Sequence, residues 1–336
     1  MQTTLRPLTL GEILDRTAEL YRTNFLLLAG ISSAYAGVLL VLGLVQIGAQ
    51  RAFSAMHMNT ALIVAAIVGI VLIFLVSLVC GGLAVAANTR AVGWLYLGES
   101  ASISAAYRAV LPRTGRYVWL LTIIYFLAWF PCVLIYAGYA VLMLHYVRAT
   151  GLLNAHAAPA IDQKTALMLL GASVVFFVLL LAFGIYGIIM SLRYSLAVPA
   201  CTVENLKARS AIKRSISLSK GSRGRIFMLG LLTIAIQIGL AAVTQGFFIV
   251  AGIKHKGVLP LWMSVLQQLL AFLTNTFVGP IYATGFTLFY FDQRIRKEGF
   301  DIEHMMTAAG MTSSLQAPEV QPGFDALAAN PGSVNE

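Results

Sequence analysis

Acidic residues are scarce in this chain: 13 Asp and Glu stand against 23 Lys and Arg in 336 residues, and charged side chains of both signs make up only 11%. That shortage, with 59% hydrophobic residues and a mean hydropathy of +0.83, excludes the soluble domains that length alone would permit. Cys80, Cys132 and Cys201 are the only cysteines, without C-x-x-C spacing or an even count. Neither a disulfide framework nor a zinc knuckle is expected. His57, His145, His156, His255 and His304 form no H-x-x-x-H pair, and no carboxylates pair inside an apolar run. Metal-centred and two-carboxylate chemistry therefore lack candidate residues, and no cofactor is expected. Nucleophile elbows of the G-x-S-x-G type and Walker loops are also missing. The N-terminus shows no basic region, short apolar core and small-residue cleavage site, so no cleavable signal peptide is expected.

What the chain does contain is long apolar runs. Six of them, at 25–49, 61–87, 118–143, 166–190, 226–253 and 261–291, reach the roughly 20 residues that a bilayer crossing needs. The expected fold is all-α, a polytopic membrane protein of six transmembrane helices arranged as three hairpins. Pro131 and Pro280 fall inside the third and sixth runs, where bilayer helices accept a kink.

Basic residues alternate sharply between the two sides of these spans. One side collects 18 of the 23 Lys and Arg, including eight between Arg193 and Arg225. The other holds Arg51, Arg148, Lys164, Lys254 and Lys256. By the positive-inside rule both termini are cytoplasmic. The net charge of +10 sits at the ends of apolar runs rather than on a polar surface interleaved with aromatics, which argues against nucleic acid and for anionic lipid headgroups as partners.

Each hairpin is preceded by a short amphipathic segment. Thr9 with Glu12 makes a capping box that starts a helix at Leu10, with Leu8 and Ile13 as its hydrophobic staple. Leu10, Ile13, Leu14, Thr17, Tyr21 and Phe25 then share one face, the pattern of a helix lying in the membrane interface. Ile103, Tyr107, Val110 and Leu111 give a second such face, ended by Pro112. Ala208, Ala211, Ile212, Ser215, Ile216 and Ser219 give a third, ended by Gly221 as its C-cap. Arg90, Arg193 and Arg294 mark the inner ends of the even-numbered spans at intervals of about 100 residues, which suggests three repeated units near 5–98, 99–203 and 204–300. Residues 1–303 form the membrane domain in this reading. The Ala-, Gly-, Ser- and Pro-rich stretch 304–336 is expected to be a disordered cytoplasmic tail.

Two groups of residues are candidates for a site. Lys207, Arg209, Lys213, Arg214 and Arg225 hold the loop inside by charge, and they can also contact phosphate headgroups at about 1 kcal/mol for each near-surface basic residue. Gln237, Gln245, Gln268 and Asn275, with Gln267 beside them, place amides within the fifth and sixth spans. They can serve as interhelical hydrogen-bonding groups or line a solute path.

Three stretches carry a family resemblance: PLTLGEILDRTAELYRTNF from Pro7, RYSLAVPACTVEN with AIKRSISLSKG from Arg193 to Gly221, and LFYFDQRIRKEGFDIE from Leu288. Together they resemble the bacterial glycerophosphoryl diester phosphodiesterase membrane-domain family, with Arg193, Pro199, Glu204, Asp292, Arg294, Arg296 and Gly299 carrying the motifs. The resemblance implies a multi-span bundle in the bacterial cytoplasmic membrane. It does not imply hydrolysis, because in such phosphodiesterases the metal-dependent work belongs to a separate soluble barrel, for which this chain has no room. The leading expectation is a non-catalytic scaffold or lipid-interacting module, alone, as a homo-oligomer or with a protein partner. A transporter or pore for a small amphiphilic or phosphate-bearing solute is the alternative. A membrane-interface lipid hydrolase using Glu204, Asp292 or Asp301 stands third.

Overall fold

The computed structural model describes residues 6–54, 60–149, 162–254 and 259–308. Every regular element among them is a helix. In chain order these are α1 (Leu10–Thr23), α2 (Phe25–Ser54), α3 (Thr60–Tyr96), α4 (Ile103–Val110), α5 (Thr114–Ala149), α6 (Gln163–Tyr194), α7 (Ala197–Val203), α8 (Ala208–Ser219), α9 (Arg223–Lys254), α10 (Leu261–Glu298) and α11 (Phe300–Ala308). Six of them, α2, α3, α5, α6, α9 and α10, are long and apolar enough to cross a membrane. The chain is thus an all-α, multi-pass membrane protein. Pro131 and Pro280 lie inside α5 and α10, which continue through them.

The long helices close on one another in chain order. α2 packs on α3, α3 on α5, α5 on α6, α6 on α9, and α9 on α10, while α10 returns to both α2 and α3. Their most apolar windows remain largely uncovered by protein, with 28% buried in α2 and none in α3 or α6. Val64, Ile70, Phe177, Leu181, Val243 and Ile249 are all more than half exposed. Such side chains suit a lipid surround, where burying them against another helix gains little, because acyl chains are as apolar as leucine.

One end of the bundle is built differently. At 38 residues α10 is about 57 Å long, and α3 at 37 residues about 55 Å, against a hydrocarbon thickness of about 30 Å. Both overrun the bilayer, and the overrun is sheathed. Residues 283–293 of α10 form an unbroken buried run, enclosed by Ile13, Leu196, Ala200, Leu218, Ile226 and Leu229. On α3, Ala86, Ala87, Ala91 and Val92 are buried against Ala106, Val110, Ala197, Cys201, Ala211 and Ile212. Outside the bilayer the hydrophobic effect acts in full, at about 1.5–3 kcal/mol for each fully buried large apolar side chain. The well-packed core therefore sits at this end.

At this end the amphipathic helices pack on the bundle. α1 has the capping box read from the sequence, with Thr9 and Glu12 bonding reciprocally, but its apolar side is turned onto α10. Ile13 and Thr17 are buried, the Tyr21 hydroxyl donates to the Phe277 carbonyl at 2.6 Å, and Phe25 stacks on Phe277. In α4 the buried residues are Ala106 and Val110, whereas Ile103 and Leu111 remain exposed. α8 buries Ala208, Ala211, Ile212, Ser215, Leu218 and Ser219 against its neighbours. Gly221 follows it with φ of +83°, the left-handed conformation expected past a helix end. Two further features were not foreseen. α7 forms a separate short helix, and residues 304–308, expected to be disordered, continue α11. Residues 309–336 lie outside the described residues, as do His57, His156 and His255.

Candidate functional site

The projecting end of α10 carries the FDQRIRKEG motif, and the structure assembles an ionic network around it. The Asp292 carboxylate, fully buried, accepts hydrogen bonds from the Leu8 amide (2.8 Å), Arg225 Nη1 (3.1 Å), Arg296 Nε (2.9 Å) and Gln293 Nε2 (3.0 Å). Arg225 and Arg296 also donate to the Leu8 carbonyl. Asp292 thereby joins the segment before α1, the start of α9 and the end of α10. Such saturation by donors and opposite charge offsets the cost of burying a carboxylate.

A second cluster lies beside it. Glu204 accepts from both Arg214 Nε and the Tyr290 hydroxyl, while Arg214 forks onto Glu298 with its other two nitrogens. Arg294 lies 3.7 Å from Glu204 and 3.3 Å from Glu298, with its guanidinium over the Phe300 ring. Lys297 Nζ donates to the carbonyls of Ser217, Leu218 and Lys220, closing the C-terminus of α8. Gly299 ends α10 in the left-handed region, with φ of +66°. The motif residues Glu204, Asp292, Arg294, Arg296 and Gly299 thus converge, and Pro199 is buried in α7 nearby. Arg193 acts through its carbonyl, which accepts from Ser215.

This geometry divides the predicted headgroup residues. Arg214 and Arg225 form ion pairs with carboxylates within the protein. Lys207, Arg209 and Lys213 are exposed and, among the described residues, have no carboxylate partner. Neither Asp292 nor Glu204 has the open aspect of a general base, since the first is sealed from solvent and the second is held by two arginines and a tyrosine. Among the described residues no group of three His, Cys, Asp or Glu converges as metal ligands.

The amides of α9 and α10 take different roles. Gln245 pairs with Gln267 at 2.6 Å, whereas Gln268 reaches across to Gly43 on α2, where an added Cβ would collide with it. Asn275 donates back to Ala271 in its own helix, and Gln237 is exposed on the outside of α9. Face-to-face pairing needs helical phase as well as depth, and Gln237 and Gln268 lie on other faces. Asn275 instead lines a cavity of about 320 Å³ between α2, α3, α5 and α10, with Tyr35, Asn88, Tyr125 and Tyr282. Asn88 donates to Ser32 at 3.0 Å, and its buried carbonyl oxygen has no partner. Sequence reading missed Asn88, Tyr290, Lys297 and Glu298, because nothing local distinguishes them from ordinary span-end residues. No protein-family model matches the chain, no curated protein is similar to it, and no solved structure matches it.

Proposed function

We propose that this chain is a non-catalytic, lipid-interacting module of the bacterial cytoplasmic membrane, with the arginine-rich end and both termini facing the cytoplasm. The observation that carries the reading is the uncompensated cationic rim: Lys207, Arg209 and Lys213 are exposed while the neighbouring arginines are consumed by internal carboxylates. Charges that stabilised the fold would have partners. Unpaired ones beside an apolar belt suit anionic headgroups, whose surface potential attracts basic residues. The orientation rests on the 18-to-5 distribution of Lys and Arg across the spans.

The test is lipid selectivity of the purified full chain in vesicles, measured with spin-labelled lipids. Anionic labels should be enriched at the protein surface over zwitterionic ones, and the preference should fall in the variant K207Q/R209Q/K213Q and with added salt. Unchanged selectivity in that variant would overturn the proposal. Transport of a small polar amphiphile is the second reading, favoured by the cavity that holds Asn88 and Asn275 within the spans. Flux in reconstituted vesicles that is abolished by N88L would establish it.

A further inference from the structure

A second cationic feature of the same end is a cleft rather than a rim. Its volume is about 360 Å³, and its lining includes Arg90, Arg108, Arg113, Tyr117, Thr202 and Asn205. Four helices, a turn and a loop build it, with Tyr117 from α5 and Thr202 from α7. Arg90 comes from the end of α3, Arg108 and Arg113 from α4 and the turn that follows it, and Asn205 from the loop between α7 and α8. No acidic residue lines the cleft. Among the described residues none of these three arginines has a carboxylate partner.

Arg90 is the informative member. Its guanidinium lies over the Trp94 ring at 5.0 Å and donates to the Thr202 carbonyl at 3.4 Å, a long contact. Its Nε is buried with no hydrogen-bond partner. Leaving a charged donor buried and unpaired is costly, so this guanidinium is poorly satisfied by the protein around it. Another part of the lining is pre-set. Asn205 is the one non-glycine residue of positive φ among the described residues, at +54°. Its side-chain oxygen accepts from Arg113 and its carbonyl from Arg116, which orients Arg113 while leaving further guanidinium donors free.

We infer that this cleft is a binding site for a phosphomonoester group, held by Arg90, Arg108 and Arg113. A phosphomonoester carries about −1.5 to −2 charge at neutral pH and three acceptor oxygens, which matches three guanidiniums lining one cleft without an internal counter-ion. A phosphodiester, with one charge, would leave more of the cationic charge uncompensated. The group can belong to a lipid headgroup at the adjoining bilayer surface or to a soluble ester. This inference deepens the lipid-interacting reading and rests on it for the orientation of this end.

The experiment is calorimetric titration of the detergent-solubilised full chain with two probes, short-chain phosphatidic acid and inorganic phosphate. Binding of the lipid alone assigns the site to a headgroup, and binding of both assigns it to the phosphoryl group itself. In either case R108Q and R113Q should each weaken binding by about tenfold or more, the scale of one lost charge-assisted hydrogen bond. In the triple variant K207Q/R209Q/K213Q the Arg108-dependent binding should persist, only the salt-sensitive anionic-lipid preference of the rim falling. Arg108 is exposed and outside the packed core, so R108Q keeps the comparison valid if R113Q, which loses its bond to Asn205, misfolds. Binding of neither probe, or binding indifferent to R108Q, overturns the inference. Loss in the triple variant alone overturns the cleft while preserving the surface-lipid reading.

Discussion

Replacing Asp292 by Asn tests whether the ionic network holds the N-terminal arm onto α10. The substitution keeps size and shape but removes the charge that Arg225 and Arg296 share, and it turns an amide N–H₂ toward a guanidinium. Hydrogen bonds to charged groups contribute about 1.5–3 kcal/mol each, and breaking a fully buried pair costs about 3–5 kcal/mol. Here the carboxylate is fully buried, but Arg225 and Arg296 are 30% and 37% exposed, so both recover hydration and the cost is reduced. The expected loss is about 2–3 kcal/mol, a fall in Tm on the order of 5 °C. Thermal unfolding of the full chain in detergent, followed by tryptophan fluorescence and by the surviving monodisperse fraction, measures it. Limited proteolysis should also cut the segment before α1 earlier than in the wild type, because the Leu8 amide keeps only a neutral acceptor and the arginines that hold the Leu8 carbonyl lose their charged anchor. A Tm within about 1 °C of the wild type, with no change in cleavage, would refute the assignment of Asp292 as the joint between these elements.

Other consequences are equally open to measurement. Gly187→Ala would place a Cβ 2.9 Å from the Ala128 carbonyl oxygen, so the α5–α6 contact should lose about 1–3 kcal/mol, whereas Gly171→Ala, with nothing within 4 Å, should leave Tm unchanged. Gln267→Leu should lower stability by only about 0.6 kcal/mol through loss of its bond to Gln245, and Gln237→Leu should be silent; a larger effect at Gln237 would contradict its outward placement. Glu12 is held down to about 2 by the Thr9 amide, Arg6 and the Thr9 hydroxyl, from an ordinary value of 4.5. Because the folded-state value is depressed, its contribution is present above about pH 4.5 and is lost as pH falls toward 2. The Tm difference between wild type and Glu12→Gln should accordingly be constant above pH 5 and shrink below it, as measured by a pH series of thermal melts.

Much of the architecture was legible because membrane helices announce themselves locally. A run of apolar residues long enough to cross hydrocarbon leaves few alternatives, since every backbone group must be satisfied within the segment. Thr9 and Glu12 set the start of α1 for the same reason, as an interaction over three residues. Gly221 was equally readable, because a left-handed residue past a helix end is a local requirement. The destination of an amphipathic face was not. Ile13 and Thr17 satisfy the pattern of an interfacial helix and of a helix docked on protein alike, and only the overrun of α10 beyond the bilayer thickness supplied the surface that covers them. The basic residues were similarly ambiguous. Arg209 and Arg214 look alike in sequence, yet one is exposed and the other lies between Glu204 and Glu298.

The sequence by itself determined the six spans, their alternating basic flanks and the short helices ahead of them, since each depends on hydrocarbon length, local charge or hydrogen bonds between near neighbours. Tertiary structure alone decided which charges are spent and which are available. Leu8 and Asp292 are 284 positions apart, and Arg225 meets Asp292 across 67. The cleft of Arg90, Arg108 and Arg113 likewise draws on four helices, a turn and a distant loop. Hydrogen bonds and ion pairs act over about 3–4 Å, so their partners are chosen by how the helices pack, and no local pattern of residues encodes that choice.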